Sequence, residues 1–256
     1  PSEPMALLTT IRDLHRRKGR ERRNLALAEG IRLVEEMLAT GAACKGVAVS
    51  PALEGTPRGA RLRQRLAAAG FPVEEISDVE LTDVAATEHP QGVVAVYQAK
   101  SWSLDDCAAV ARHPLVILDG VQDPGNVGTI ARTAVAFGAS GLVALPGTAD
   151  LTNPKAVRGA MGALFRLPHC HAGDDDTLAM MARRGIALWA MAMDGEVLDH
   201  GAPATPVALL LGNEGAGVRT ELLQRATRRV TIPIDAAAES LNVAVAAAIA
   251  LHEVTR

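Results

Sequence analysis

The sequence predicts an α/β protein built in two parts, and three observations predict it. In the second half, short apolar runs alternate with segments of helical periodicity, the pattern of a mostly parallel sheet covered by helices. The loops after those runs, at 119–126, 212–217 and 233–242, are rich in Gly, Asn and carboxylates, and such folds bind ligands beyond the C-terminal strand ends. Between Lys100 and Pro114 no core pattern persists, so a boundary falls there; the 256 residues are near the upper size for one hydrophobic core.

Taken in order, Leu25 to Leu38 (LALAEGIRLVEEML) places apolar residues at helical spacing, with Gly41 as the stop. Val47 to Val49 is a short strand, and Arg61 to Ala69 a helix closed by Gly70. Val73 to Ile76 is a strand and Val79 to Val84 a short helix. HPQGVVAVYQ, residues 89–98, is a turn leading into a β-rich strand. The second half is expected to run strand 115–118, helix 127–137 stopped by Gly138, strand 142–145, helix 155–163 and helix 176–184. Strand 186–190, strand 207–211, helix 219–226, strand 229–234 and a last helix, 241–254, complete it. Pro233 marks a strand end or an edge. No internal repeat stands out.

Composition narrows the function classes. Hydrophobic residues make up 48% and charged residues 21%, which is ordinary for a globular protein. The most apolar stretch, Val243 to Leu251, is far short of the roughly 18 residues a membrane span needs, so no membrane partner is expected. The start has no basic-then-apolar signal pattern, and Pro1 to Pro4 ahead of Met5 reads as a frayed end. Cys44, Cys107 and Cys170 are scattered with no CxxC, which favours a reducing, cytoplasmic setting. His169-Cys170-His171 reads as edge-strand decoration and Asp174-Asp175-Asp176 as a helix start, so no metal is expected.

The net charge of −3 conceals a basic cluster: Arg12, Arg16, Arg17, Lys18, Arg20, Arg22 and Arg23 against Asp13 and Glu21. Such a run is either a solvated helix face or a footprint for a phosphate backbone. Aromatics at 2% argue against recognition by ranks of stacking rings.

Each of the three loops has a structural reading beside a chemical one. In VQDPGNVG, Asn126 is suited to cap the following helix, and Gly125 and Gly128 admit a ligand close to the backbone. Val127, Ile130, Ala131 and Ala134 form the expected buried stripe, which leaves Arg132 toward the surface as a solvated residue or a phosphate clamp. The second loop, Gly212 to Gly217, lacks the GxGxxG spacing and no P-loop Lys-Ser/Thr follows, so a dinucleotide reading is weak. In the third, Ser240 can cap the Ala-rich last helix.

In this order and spacing, DGVQDPGNVGTIARTAVAFG, then LLLGNEGAG, then IPI and SLNVAVAAAIALHE, the chain resembles the SpoU/TrmH group of ribose 2′-O-methyltransferases, within the SPOUT superfamily, over about residues 113–256. AEGIRLVEEML and HPQGVVAVYQ look like the substrate-binding domain that precedes the catalytic one. The resemblance implies a C-terminal trefoil-knotted α/β methyltransferase domain at 114–256 and a smaller N-terminal α/β RNA-binding domain at 1–100. A linker at 101–113 joins them. It also implies S-adenosylmethionine as methyl donor, S-adenosylhomocysteine as product, a homodimer, and an RNA substrate, ribosomal before transfer RNA. Connection rules alone would not give the knot, because threaded chains are rare.

By position, the resemblance assigns Asn126, Arg132, Glu214, Ser240 and Asn242 to catalysis and Gly212, Asn213, Ile232 and Leu241 to the cofactor. RNA falls to Arg16, Arg17, Lys18, Arg20, Arg22, Arg23 and Arg158. Arg158 matches a second arginine of some members, although the serine usual near Gly159 or Ala160 is missing. Arg132 is regarded in the family as the activating residue, but a guanidinium stays protonated at any working pH. Its expected role is therefore to bind the ribose-phosphate and stabilise the developing oxyanion, while Glu214 orients Arg132 or ties the loops together. Two rival readings are a non-catalytic RNA-binding protein and an ordinary Rossmann oxidoreductase or hydrolase. The intact residue set speaks against the first, and the missing GxGxxG and GxSxG against the second.

Overall fold

A computed structural model describes residues 7–110, 113–198, 201 and 203–256. Pro1 to Pro4, expected to fray, lie outside the described residues, as do positions 111 and 112 of the expected linker. The fold is α/β, and the chain divides into two compact units. Thr152–Phe165 clusters with the first hundred residues, and Ser101 onward with the second unit, so the division is not the single cut at a linker that the sequence suggests.

The first unit opens with α1 (Leu7–Leu14) and α2 (Arg17–Arg23), which carry the basic cluster. Next come β1 (Leu25–Glu29), α3 (Ile31–Ala39), β2 (Cys44–Val49), α4 (Pro57–Ala68), β3 (Val73–Glu75), α5 (Asp78–Val84) and β4 (Val93–Gln98). The sheet order is β1-β4-β2-β3, antiparallel except for the β2–β3 pair. Ile11, Leu14, Leu27, Ala48, Leu81, Val94 and Val96 form one core cluster.

The expected helix over 25–38 is a strand and a helix. Ala26, Leu27 and Ala28 are all buried, so β1 shows no alternation, and Leu and Ala read as helix formers until burial overrides propensity. Gly30, at φ +95°, makes the break, and α3 starts at Ile31. α4 gains its start from Pro57 at the first helical position and the Thr56 hydroxyl, which accepts from the Gly59 N–H at 3.0 Å.

The second unit runs α6 (Leu104–Cys107), β5 (Leu115–Asp119), α7 (Pro124–Ala136) and β6 (Gly141–Ala144). The chain then supplies α8 (Pro154–Ala160) to the first unit before returning as β7 (His169–His171) and α9 (Asp174–Arg184). β8 (Ala187–Val197), β9 (Val207–Gly212), α10 (Thr220–Arg225), β10 (Arg228–Thr231) and α11 (Val243–Val254) complete it. The six strands are all parallel, in the order β10-β8-β9-β5-β6-β7. β5, β6 and β9 are buried along their whole lengths, as sheets covered on both faces require.

Among the boundaries that differ from expectation, three have a clear local cause. α8 stops at Ala160 because Met161 turns left-handed, at φ 51°, ahead of Gly162 at φ +94°. β10 ends at Thr231, which leaves Pro233 beyond the ladder. β8 continues past residue 190, but its pairing with β10 jumps from Ala190 to Glu196, so Met191 to Gly195 leave the β10 ladder. Among the described residues no helix is long and apolar enough to cross a membrane.

Candidate active site

The strand ends of β5 and β9 and the start of α11 converge on one place in the second unit. After Asp119 the chain turns through Gly120, at φ +68°, and enters α7 at Pro124. Asp123 caps that helix, accepting from the Gly125 N–H at 2.6 Å, so Asn126 is not the cap expected of it. It sits inside the first turn and its side chain is released for other contacts. Likewise Asn242, not Ser240, caps α11, accepting from the N–H groups of Ala244 and Val245 at 2.9 and 3.3 Å.

These freed and capping amides meet. Asn126 donates to Glu214 at 3.0 Å, and Asn242 donates to Asn126 at 3.1 Å. Glu214 also accepts from the N–H groups of Gln122 and Asp123, each at 3.1 Å. Three loops, distant in sequence, are thereby tied by one carboxylate and two amides. Burial alone would lift the Glu214 carboxyl; the bonds from Asn126, Gln122 and Asp123 outweigh it and hold the group below the usual carboxylate range. Of the two roles expected of Glu214, the geometry gives the tying of loops.

Beside this chain lies a cavity of about 220 Å³, bounded by the ends of β9 and β10 and by the residues before α11. Gly212, Asn213, Ile232 and Leu241 line it, with Glu214 and Ser240. Gly212 admits no side chain, since a Cβ there would stand 2.1 Å from the carbonyl carbon of Gly217. Asn213 folds the loop on itself: it donates to the Gly120 carbonyl at 2.8 Å and accepts from Gly215 and Ala216 at 2.9 and 3.0 Å. The lining is mainly apolar, and among the described residues Glu214 is its one charged member. A cleft with an acidic group, much exposed loop backbone and, among the described residues, no cation suits S-adenosylmethionine, whose sulfonium is positive and whose adenine seeks apolar walls.

Arg132 stands apart. The stripe of Val127, Ile130, Ala131 and Ala134 is buried as expected, and Arg132 points outward, making no hydrogen bond or ion pair with the described residues. The basic cluster is mixed. Arg16, Arg17, Lys18 and Arg22 are exposed, and Arg23 is half-buried against Asp13 at 2.7 Å. Arg20 is buried, donating to the carbonyls of Leu14 and His15 at 2.9 and 3.0 Å, so it braces α1 and α2 and offers nothing to solvent. Arg158 lies on α8, within the first unit.

Sequence reasoning missed two parts of the site. Met191 and Met193, in the excursion of β8, form a cavity wall; the Asp-Gly pair at 194–195 lies within the same strand and gives no break in the pattern. Asp119, 1% exposed, accepts from the Arg219 Nε and backbone N–H at 2.6 and 2.8 Å, and Arg219 reaches Asp174 at 2.9 Å. This network binds β5 to the start of α10. Its carboxylates, Asp174 foremost, hold the Arg219 guanidinium above its usual range despite burial. The flanking His169 and His171 lie on the expected edge strand, and among the described residues no group of His, Cys, Asp or Glu is placed to hold a metal.

Residues 113–252 match the SpoU rRNA Methylase family, and residues 8–95 match the MRM3-like substrate binding domain. The chain belongs to the SpoU rRNA Methylase family. A SpoU-family likeness extends along nearly the whole chain. The 23S rRNA (guanosine(2553)-2′-O)-methyltransferase RlmP of Bacillus subtilis is 36% identical over 93% of this chain and 92% of its own. The AdoMet-bound rRNA methyltransferase of Sinorhizobium meliloti superposes with a TM-score of 0.85 at 32% identity, covering 99% of this chain and 95% of that one. The SpoU methyltransferase AviRb of Streptomyces viridochromogenes, also solved with AdoMet, gives 0.87 at 28% identity over 98% and 97%.

Proposed function

We propose that this chain transfers a methyl group from S-adenosylmethionine to a ribose 2′-hydroxyl of ribosomal RNA, acting in the cytoplasm as a homodimer. The observation that carries the reading is the hydrogen-bonded chain Glu214–Asn126–Asn242 beside an apolar cleft whose only charge among the described residues is negative. Relatives of this family are named for that reaction on 23S rRNA, and two of the structural neighbours hold AdoMet.

S-adenosylmethionine, once bound, supplies an electrophilic methyl on a sulfonium. Ile232, Leu241 and the backbone of Gly212 would hold it. Asn126, Glu214 and Asn242 fix the loops that shape the cleft, so little reorganisation is needed at the moment of reaction. Arg132, protonated throughout, binds the ribose-phosphate and meets the negative charge that grows on the 2′-oxygen; the proton leaves to a phosphate oxygen or to water. A requirement for the 2′-hydroxyl restricts the polymer to RNA. The homodimer is supported by the outer faces of α7 and α11, where Val135 and Val245 remain 38% and 47% exposed on helices made largely of small apolar residues. A partner on that face would enclose the outward-pointing Arg132.

The test is transfer of labelled methyl to unmodified 23S ribosomal and transfer RNA, with Arg132→Ala in parallel. Label is expected in the ribosomal pool, surviving alkali as a protected dinucleotide. The variant should lose on the order of 10²- to 10³-fold in kcat with S-adenosylhomocysteine binding unchanged. Label in transfer RNA alone would move the substrate, and no label in either pool despite cofactor binding would overturn the enzymatic reading.

A further inference from the structure

The first unit carries a cavity of its own, of about 600 Å³, where β1 passes into α3. Four segments bring cationic or titratable nitrogen to its walls: Arg32 from α3, Arg58 from α4, His89 from the loop before β4, and Arg158 from α8. Its one carboxylate, Glu29, is already engaged, accepting from the N–H groups of Ala86 and Thr87 at 2.7 and 3.1 Å and from the Thr87 hydroxyl. Arg58 is half satisfied by Glu35, at 2.5 and 3.0 Å. Arg32 is exposed and makes no ion pair with the described residues. Nη1 of Arg158 is fully buried and has no hydrogen-bond partner among the described residues.

A buried guanidinium nitrogen without an acceptor is costly, and an anion removes the cost. The start of α3 adds to the demand. Its cap is Gly30, which offers no side chain; the Ile31 N–H is met by the Gln91 side chain at 3.0 Å, while those of Arg32 and Leu33 meet no acceptor among the described residues. Open N–H groups at the positive end of a helix, flanked by guanidinium groups, make a phosphate site.

We infer that this cavity binds one nucleotide of the substrate RNA, splayed out of its strand, with a backbone phosphate held by Arg158 and the start of α3. The inference rests on the RNA reading above and deepens it. The volume lies in the range of about 300–1,000 Å³ typical of ligand pockets and exceeds what a phosphate alone fills. Ile31, Leu33 and Met161 give the cavity apolar wall beside its cations, as an unstacked base requires. In a chain with so few aromatic rings, the guanidinium planes of Arg32 and Arg58 are the stacking surfaces available.

The experiment compares full-length wild type, Arg32→Ala, Arg158→Gln and, as control, Arg65→Ala, an exposed position of α4 outside the cavity. Each is titrated with an unmodified 23S rRNA transcript across a salt series, after thermal melting confirms folding. Arg32→Ala and Arg158→Gln should each weaken binding about 10-fold or more and lower the salt slope by about one phosphate contact. S-adenosylhomocysteine affinity and the control should stay at wild-type values. Wild-type binding by both cavity variants overturns the inference, as does an equal loss in the control or failure of the wild type to bind RNA. Cavity-dependent RNA binding without methyl transfer leaves the inference standing and overturns only the enzymatic reading.

Discussion

Glu214 accepts from two backbone N–H groups of the loop that leads into α7 and from the Asn126 side chain in its first turn, and those bonds require the carboxylate form. A carboxyl held below its unfolded value contributes stability fully above the unfolded pKa of about 4.3. The contribution is lost as pH falls through the lower folded value. The melting temperature of the wild type should therefore fall more steeply than that of Glu214→Gln below about pH 5, read by calorimetry. Parallel curves would remove Glu214 from the locking of the loops. That Asn126, Glu214 and Asn242 converge was legible as a motif, but their roles were not, and Arg132, grouped with them by the same motif, stands apart. Asn126 and Ser240 look like caps because small polar residues precede apolar helices. Asp123 and Asn242 do the capping instead, and a cap is decided by which side chain reaches the open N–H.

Elements follow the same division between pattern and context. The parallel strands β5, β6 and β9 were legible because apolar runs bounded by turns have few other uses. β1 was not, since a strand covered on both faces and built of Leu and Ala carries no period-two signal. The excursion of β8 was hidden for a related reason: Met191 and Met193 read as a continuation of apolar sequence, and only the register against β10 shows them leaving the ladder. At this scale Gly212 is the sharpest position. A methyl group there meets the carbonyl carbon of Gly217 at 2.1 Å and the Val218 nitrogen at 2.2 Å, both backbone, so no side chain can turn away to make room. Gly212→Ala should cost about 3 kcal/mol and abolish S-adenosylhomocysteine binding by calorimetric titration. A variant that melts and binds as the wild type would show that the 212–217 loop can relax without cost.

At the scale of the molecule, the two-part organisation was legible from the lapse in core pattern near residue 100, and the exchange of 152–165 between the parts was not. Nothing in NPKAVRGAMGALF marks it as belonging elsewhere, because its apolar spacing would serve either unit. The threading that the family resemblance implies is equally invisible to pattern, since connection rules favour unthreaded chains. The apolar outer face of α11 makes a further prediction. Val245→Asp should convert a dimer to a monomer by light scattering and abolish methyl transfer, since a charge cannot be buried unpaired at an apolar interface. A dimeric, active Val245→Asp would place the subunit contact elsewhere.

The membership of α8 in the first unit also bears on how the protein is made. A ribosome adding roughly 5–20 residues per second delivers Thr152–Phe165 several seconds after Lys100. During that interval β1 has emerged without the helix that packs on it, and Gly162 has not yet reached its place against Glu36. The N-terminal part therefore cannot finish folding as soon as it leaves the ribosome, as an uninterrupted domain would. Nascent chains stalled before and after residue 165 should differ in protease resistance across residues 7–100, a difference that a contiguous domain would not show.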